Sequence, residues 1–137
     1  MTEPHRPPVS ETELDVLKVL WEFGPGTVRE LGQRLRDQDH HWAYTTVLTL
    51  LQRLATKGYV TSDKTDLAHV FHAAVTREGM LRQRLKDLAN QLCEGTATPL
   101  VQALVEGQPL SAGEIQYFRE LLDRLESKKP GKSPTKK

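Results

Sequence analysis

The chain has 137 residues, of which 37% are apolar and 27% are charged, and its formal net charge is +1. This composition is typical of a globular protein and excludes fibrous and largely disordered classes. No run reaches the ~20 apolar residues that a membrane-spanning helix needs, and the N-terminus lacks the apolar core of a secretory signal. We therefore expect a cytoplasmic protein, in which the only cysteine, Cys93, cannot form an intrachain disulfide.

The N-terminal part of the chain predicts a short arm and two helices. Residues 1–9 contain three prolines and no periodicity, so we expect a flexible arm. Ser10 and Glu13 have the spacing of a capping box, which predicts the start of a first helix with an apolar stripe. Thr27 and Glu30 repeat that spacing after a Gly-Pro-Gly stop, so a second, short helix begins there.

A third helix and a hairpin follow. The helix is predicted from about Ala43 to Lys57 and ends at Gly58, a common residue after a helix C-terminus. Two β-like runs, Tyr59–Lys64 and His69–Ala74, predict an antiparallel hairpin. Three helices followed by a hairpin indicate a mainly α fold with a small β-hairpin, the winged helix-turn-helix, over residues 10–76.

The rest of the chain, residues 77–126, predicts a helical dimerisation domain. Its apolar residues recur at spacings of three and four, the pattern of helices that pack against other helices. Three short helices cannot bury such stripes on one another, so we expect a second copy to cover them. A monomer in which the helices fold back onto the winged helix is the alternative. Residues 127–137 carry five lysines and predict a disordered basic tail. The candidate dimer contacts are Leu81, Leu85, Leu88, Leu92, Leu100, Val101, Leu104, Ile115, Phe118 and Leu122.

The third helix has a polar side whose composition favours DNA binding. At ~100° per residue, one side collects apolar residues from Val47 to Ala55, and the opposite side collects polar ones without an acid. Threonines are poor helix formers, so their presence on an exposed side points to a role other than folding. Hydroxyl, amide and guanidinium groups can bind base edges and phosphates. The alternative is an ordinary solvated face. The candidate DNA contacts are Tyr44, Thr45, Thr46, Thr49, Gln52 and Arg53, with Arg6 in the arm and His69 in the hairpin.

The segment WAYTTVLTLLQRLATKGYV (Trp42–Val60) resembles the penicillinase-repressor family of bacterial transcription regulators. The segments SETELDVLKVLWEFG (Ser10–Gly24), TVRELGQRL (Thr27–Leu35) and PLSAGEIQYFRELLDRL (Pro109–Leu125) support the resemblance, which covers roughly residues 9–126. It implies a homodimeric repressor that binds an inverted-repeat operator in double-stranded DNA. It also implies that the third helix lies in the major groove and that the hairpin touches the flanking backbone. A winged helix used only for protein–protein contact is the alternative function.

The resemblance further implies roles for single residues. The positions matching Thr46 and Thr49 face bases, and the position matching Arg53 contacts a phosphate. The β-lactam-resistance repressors of the family are cut at an Asn-Phe bond by a sensor-driven protease. The corresponding bond here is Ala103–Leu104, so a sensor-linked protease is a candidate partner, although the Asn-Phe pair is absent.

Other chemistry finds little support in the sequence. The copper-responsive branch of the family carries C-terminal Cys-x-Cys ligands, which this chain lacks. Asp66 near the hairpin tip argues against a phosphate contact there. The five histidines show no metal-ligand spacing, and no phosphate loop or nucleophile motif is present. We therefore expect no metal, no cofactor and no enzymatic activity.

Overall fold

The computed structural model describes residues 6–65 and 68–128, and the segment with Asp66 lies outside them. Its contacts divide the chain into two compact units, Met1–Gln83 and Arg84–Lys137. The mainly α fold class with one small hairpin is confirmed. In chain order the elements are α1 (Glu11–Phe23), α2 (Val28–Asp37), α3 (Tyr44–Lys57), β1 (Val60–Thr65), β2 (Ala68–Ala73), α4 (Arg77–Leu92), α5 (Thr98–Glu106) and α6 (Ala112–Lys128).

Capping boxes begin both α1 and α2, as their spacing predicts. The Glu13 N–H donates to Ser10 Oγ at 3.1 Å, and the Ser10 N–H donates back to Glu13 Oε1 at 2.9 Å. Thr27 and Glu30 form the same reciprocal pair, with distances of 3.2 and 2.9 Å. Each box satisfies N–H groups that the first turn of a helix leaves without a partner.

The core of the first unit forms where α1, α2 and α3 pack against one another. Each helix contributes the apolar stripe that its 3.6-residue period places on one side. The hairpin closes the core through Tyr59, Val60 and Phe71. The fully buried apolar side chains of the three helices are Val16, Leu17, Val19, Leu31, Leu35, Leu51 and Leu54.

The hairpin is attached to the turn between α1 and α2. Val60 pairs with Ala73 and Thr65 with Ala68 in an antiparallel register, within one residue of the predicted strand ends. Gly26 forms an additional bridge with Phe71, in which each N–H donates to the other residue's carbonyl, at 3.1 and 2.8 Å. The hairpin, which is the wing of this fold, therefore has a fixed position beside α1 and α2.

The described part of the N-terminal arm, residues 6–9, is held against the end of α3, which differs from the predicted flexible arm. Arg6 Nε donates to the Gly58 carbonyl at 2.9 Å, and the Arg6 guanidinium lies 5.9 Å from the centre of the Tyr59 ring. The Tyr59 hydroxyl donates to the Pro7 carbonyl. Backbone carbonyls in the arm are acceptors that a periodicity argument does not register, which is why the sequence did not indicate this contact.

An ion pair joins the start of α1 to the last turn of α3. Lys57 Nζ lies 2.7 Å from Glu13 Oε1 and also donates to the Pro8 carbonyl at 2.9 Å. Glu13 is 2% exposed and is the one buried charged residue among those that the structure describes. A buried carboxylate is tolerated only when it is paired and hydrogen-bonded, and Glu13 meets both conditions.

The second unit contains most of α4, together with α5 and α6. Ser111 and Glu114 form a third capping box at the start of α6, with distances of 2.9 and 3.1 Å. The N-cap of α5 is Ala97, which makes no side-chain cap. One helix end differs from expectation: α6 continues to Lys128, two residues into the predicted tail. The remaining tail, residues 129–137, lies outside the described residues.

Glu13 makes the stability of the first unit depend on pH. Burial alone raises the pKa of Glu13, but the hydrogen bonds from Lys57 and Ser10 and the charges of Lys57 and Arg53 bring it below its ordinary value of 4.5. The unfolded chain therefore binds the proton more readily than the folded one. This contribution to stability is complete above pH 4.5 and is lost as the pH falls through the lowered pKa.

We expect Glu13→Gln to lower the free energy of unfolding by about 1–2 kcal/mol near neutral pH, because a charge-assisted hydrogen bond is lost. The difference from the wild type should shrink as the pH falls below 4.5. Denaturant titrations at fixed protein concentration can be followed by tryptophan fluorescence, because Trp21 and Trp42 both lie in the first unit. A difference that stays constant with pH would contradict the assignment.

Candidate nucleic-acid interface

The polar side of α3 is free in the folded chain. Val47, Leu50, Leu51 and Leu54 are buried, and Leu48 packs partly against the core. Ala55, which the periodicity assigned to the apolar side, is exposed because it lies at the edge of that side. The exposed polar group, here called the threonine face, consists of Thr45, Thr46, Thr49, Gln52 and Arg53.

Thr45, Thr46 and Thr49 are exposed, and no side-chain hydrogen bond caps the first turn of α3. Ala43 is the N-cap, in contrast to the Ser and Thr caps of α1 and α2. The first turn also carries no acidic residue. The N–H groups at this end and the helix dipole therefore present positive potential to the solvent, beside the threonine face.

Two larger side chains flank the threonines. Tyr44 is the first residue of α3 and is 58% exposed. Arg53 lies one turn before Lys57, close enough to the buried Glu13 carboxylate to help lower its pKa. Because Lys57 already neutralises Glu13, the Arg53 guanidinium remains available to an external anion.

The wing brings one candidate contact to the surface. His69 is exposed on β2, where it pairs in register with Lys64 on β1. Asp63 on β1 lies 3.2 Å from His72, measured from Oδ2 to Nε2. The described part of the wing therefore mixes basic and acidic groups, and the positively charged Lys64 lies beside His69 in the strand register.

Arg6 is not brought to the threonine face. Its Nε donates to the Gly58 carbonyl, and its guanidinium stacks on Tyr59 at the opposite end of α3 from Thr45 and Thr46. Glu13 and Lys57 form an ion pair at this end of the helix that the sequence did not indicate. An acid at a capping-box position was visible in the sequence, but its partner is 44 residues away.

The apolar residues predicted to pair two copies lie on the surface. Leu81, Leu85, Leu88 and Leu92 recur along α4 and are 38–73% exposed. On α5 Val101 and Leu104 are exposed and Leu100 is half-buried, and on α6 Ile115, Phe118 and Leu122 are exposed. Among residues 84–128, Ala89 is the one buried side chain.

The described residues contain no group of three His, Cys, Asp or Glu side chains that could hold a metal ion. In the same part of the chain, none of the helices has the length and apolar character needed to cross a bilayer. The exposed side of α3 carries neutral polar and basic side chains.

Comparisons with known proteins give several relatives over most of the chain. The penicillinase repressor of Bacillus licheniformis is 25% identical over 90% of this chain and 95% of its own length. The transcriptional regulator BlaI of Mycobacterium tuberculosis is 31% identical over 87% of this chain and 86% of its own length. The solution structure of monomeric B. licheniformis BlaI with the blaP half-operator matches with a TM-score of 0.47 and 27% identity, over 55% of this chain and 90% of that one.

The family model for penicillinase repressors matches residues 9–124. That span includes all three helices of the first unit, the wing, and most of the helical segment that follows. The resemblance drawn from Trp42–Val60 is therefore confirmed. The chain belongs to the penicillinase-repressor family and is a transcriptional repressor rather than an enzyme.

Proposed function

We propose that two copies of this chain bind an inverted-repeat operator in double-stranded DNA, each with α3 in a major groove. The observation that carries the proposal is the threonine face, which is exposed, free of acids and opposite a buried apolar side. Short hydroxyl side chains allow a helix to approach base edges closely, and Gln52 and Arg53 supply hydrogen bonds to adenine, guanine or phosphate. Repression follows because the bound pair occupies the promoter.

The wing supplies a backbone contact in this proposal. His69 and Lys64 are neighbours across the hairpin, and the hairpin is fixed to the core by the Gly26–Phe71 bridge. A basic pair on a rigid wing suits a phosphate beside the groove that α3 enters. Such a contact adds affinity and orientation but does not read sequence.

Pairing of two copies is supported by the surface of α4, α5 and α6. A row of leucines on α4 at spacings of four and three is typical of a helix that packs on a partner helix. Large apolar side chains on all three helices are exposed in the single chain, and contiguous exposed apolar patches mark protein contacts. Two α3 helices related by two-fold symmetry then meet half-sites one or more helical turns apart.

Family membership favours this function over the alternative, a winged helix used only for protein–protein contact. In that alternative we would expect larger apolar side chains, such as those at the core of protein interfaces, in place of the three threonines. An operator-binding repressor works where the chromosome is, so we place the protein in the bacterial cytoplasm.

A sensor-linked protease is the further partner that we propose, acting at Ala103–Leu104. Both residues are exposed on α5, and the Ala103 carbonyl accepts a hydrogen bond from the Gly107 N–H at 2.9 Å. Proteases bind their substrates as extended chains, so this turn of α5 must unwind before cleavage. Cleavage there separates α6 from the rest of the pairing surface and so releases the operator.

The threonine face predicts a loss of specific binding when a hydroxyl is removed. We expect Thr46→Ala or Thr49→Ala to weaken binding to a genomic fragment selected by the wild type by about 1–3 kcal/mol, because a base contact is lost. Binding to a shuffled duplex should change little. Thr56→Ala is the matched control: it makes the same substitution on an exposed site of α3, but beyond the N-terminal part of the helix that reads bases. Equal losses on both duplexes would contradict base reading.

The leucine row on α4 predicts a variant that cannot pair. We expect Leu85→Asp to give a monomer in sedimentation experiments, since the carboxylate would be buried without a partner. Operator affinity should fall with it, because two half-sites no longer act together. Asn90→Asp adds the same charge on the opposite side of α4 and should leave the mass unchanged. A Leu85→Asp protein with the mass of the wild type would exclude this row from the interface.

The protease proposal predicts a defined fragment in induced cells. Cells that carry the full chain and are exposed to a β-lactam should contain a fragment that ends at Ala103, which intact-mass spectrometry can identify. Untreated cells provide the control. Derepression with only the intact chain present would remove proteolysis from the proposed function.

A further inference from the structure

We propose that the Glu13–Lys57 ion pair, with the arm segment that it holds, is a positioning device that sets α3 for operator reading. The inference rests on the proposed function, because it assigns these residues a part in DNA recognition. Neither side chain touches DNA in this proposal. They act through the orientation of the helix that carries the threonine face.

The geometry concentrates contacts at one end of α3. Lys57 Nζ binds both Glu13 Oε1 and the Pro8 carbonyl, at 2.7 and 2.9 Å. The next residue, Gly58, has a left-handed conformation with φ of 91°, and its carbonyl accepts the Arg6 Nε hydrogen bond. A Cβ on Gly58 would come within 3.3 Å of Arg6 Nε, so arm and helix end fit closely.

The other end of α3 is held by apolar packing, through Trp42 and Val47, rather than by an ion pair of α3. Ala43 provides no side-chain cap, and Tyr44, Thr45 and Thr46 are exposed. Thr46 lies roughly 16 Å along the helix from Lys57, at ~1.5 Å per residue. A tilt of about 6° at the anchored end moves Thr46 by roughly 2 Å, which is enough to break a hydrogen bond to a base edge.

An ion pair suits positioning better than it suits stability. Relative to well-packed apolar residues of similar size, buried ion pairs contribute little net stability, because the loss of hydration offsets their attraction; removing one partner alone is nevertheless destabilising. Their geometry is also directional: Lys57 Nζ donates to Glu13 Oε1 and to the Pro8 carbonyl, so a rotation of α3 relative to α1 disturbs both contacts. Apolar packing alone tolerates such small rotations more easily.

The direction of the change in operator affinity distinguishes an electrostatic effect of Glu13 from a positioning effect. Glu13 lies close enough to Arg53 for their charges to interact. If only the electric field mattered, removing this negative charge would tighten binding to any DNA. If the carboxylate positions α3, removing it weakens binding to the operator while binding to a shuffled duplex stays the same or tightens.

The experiment compares Glu13→Gln with Glu11→Gln in the full chain. Both remove one negative charge from the first turn of α1, but Glu11 is exposed whereas Glu13 is buried. Glutamine keeps an acceptor for the capping box, so α1 should still form. We expect Glu13→Gln to lower operator affinity about 10-fold, comparable to the loss of one base contact. Glu11→Gln should bind the operator at least as tightly as the wild type.

A second single variant and a double-mutant cycle complete the test. Lys57→Gln should lower the ratio of operator to shuffled affinity to a similar extent, and the double variant should lose no more than the worse single variant, because the two residues act as one unit. Unchanged or higher operator affinity in Glu13→Gln, or an equal loss on both duplexes, would overturn the positioning role. If the wild type itself prefers no genomic fragment, the proposed function fails instead.

Discussion

The structure depends on the burial of one side of α3 between α1 and α2. Val47, Leu50, Leu51 and Leu54 are buried, and this fixes the rotation of the helix about its own axis. With that rotation fixed, the side that carries the threonines faces outward, because it lies opposite the buried side. The same hydrophobic contacts that fold the first unit therefore also expose the threonine face, the surface that we propose binds DNA.

The rotation of α3 about its own axis is only one of the variables that decide how it would fit into a groove of DNA. The tilt of α3 depends on its ends, and the structure treats the two ends differently. The C-terminal end is tied to α1 and to the arm through Lys57 and Gly58, while the N-terminal end is left without a side-chain cap. In the proposed function, this arrangement leaves backbone N–H groups at the N-terminal end available to phosphates and keeps the threonine face at a defined angle.

The helices of the second unit contribute to the proposed function through the pairing of two copies. Their exposed leucines and aromatic side chains are costly in water, and the proposed pairing of two copies would bury them. In the proposed function a single α3 reads only half of an inverted repeat, so affinity and specificity both require pairing. This makes the pairing surface the natural point for control, and the Ala103–Leu104 bond lies within it.

The sequence by itself determined the features that depend on near neighbours. Capping boxes at Ser10, Thr27 and Ser111 are read from residues three apart, and the two sides of α3 follow from its 3.6-residue period. Those signals were sufficient to predict the fold class and the exposed threonines, and the resemblance carried by Trp42–Val60 indicated the family. Only the tertiary structure decided that residues 6–9 lie on the end of α3 and that Glu13 is buried against Lys57. The physical reason is that these contacts join distant residues, partly through backbone carbonyls, which leave no periodic or compositional trace in the sequence.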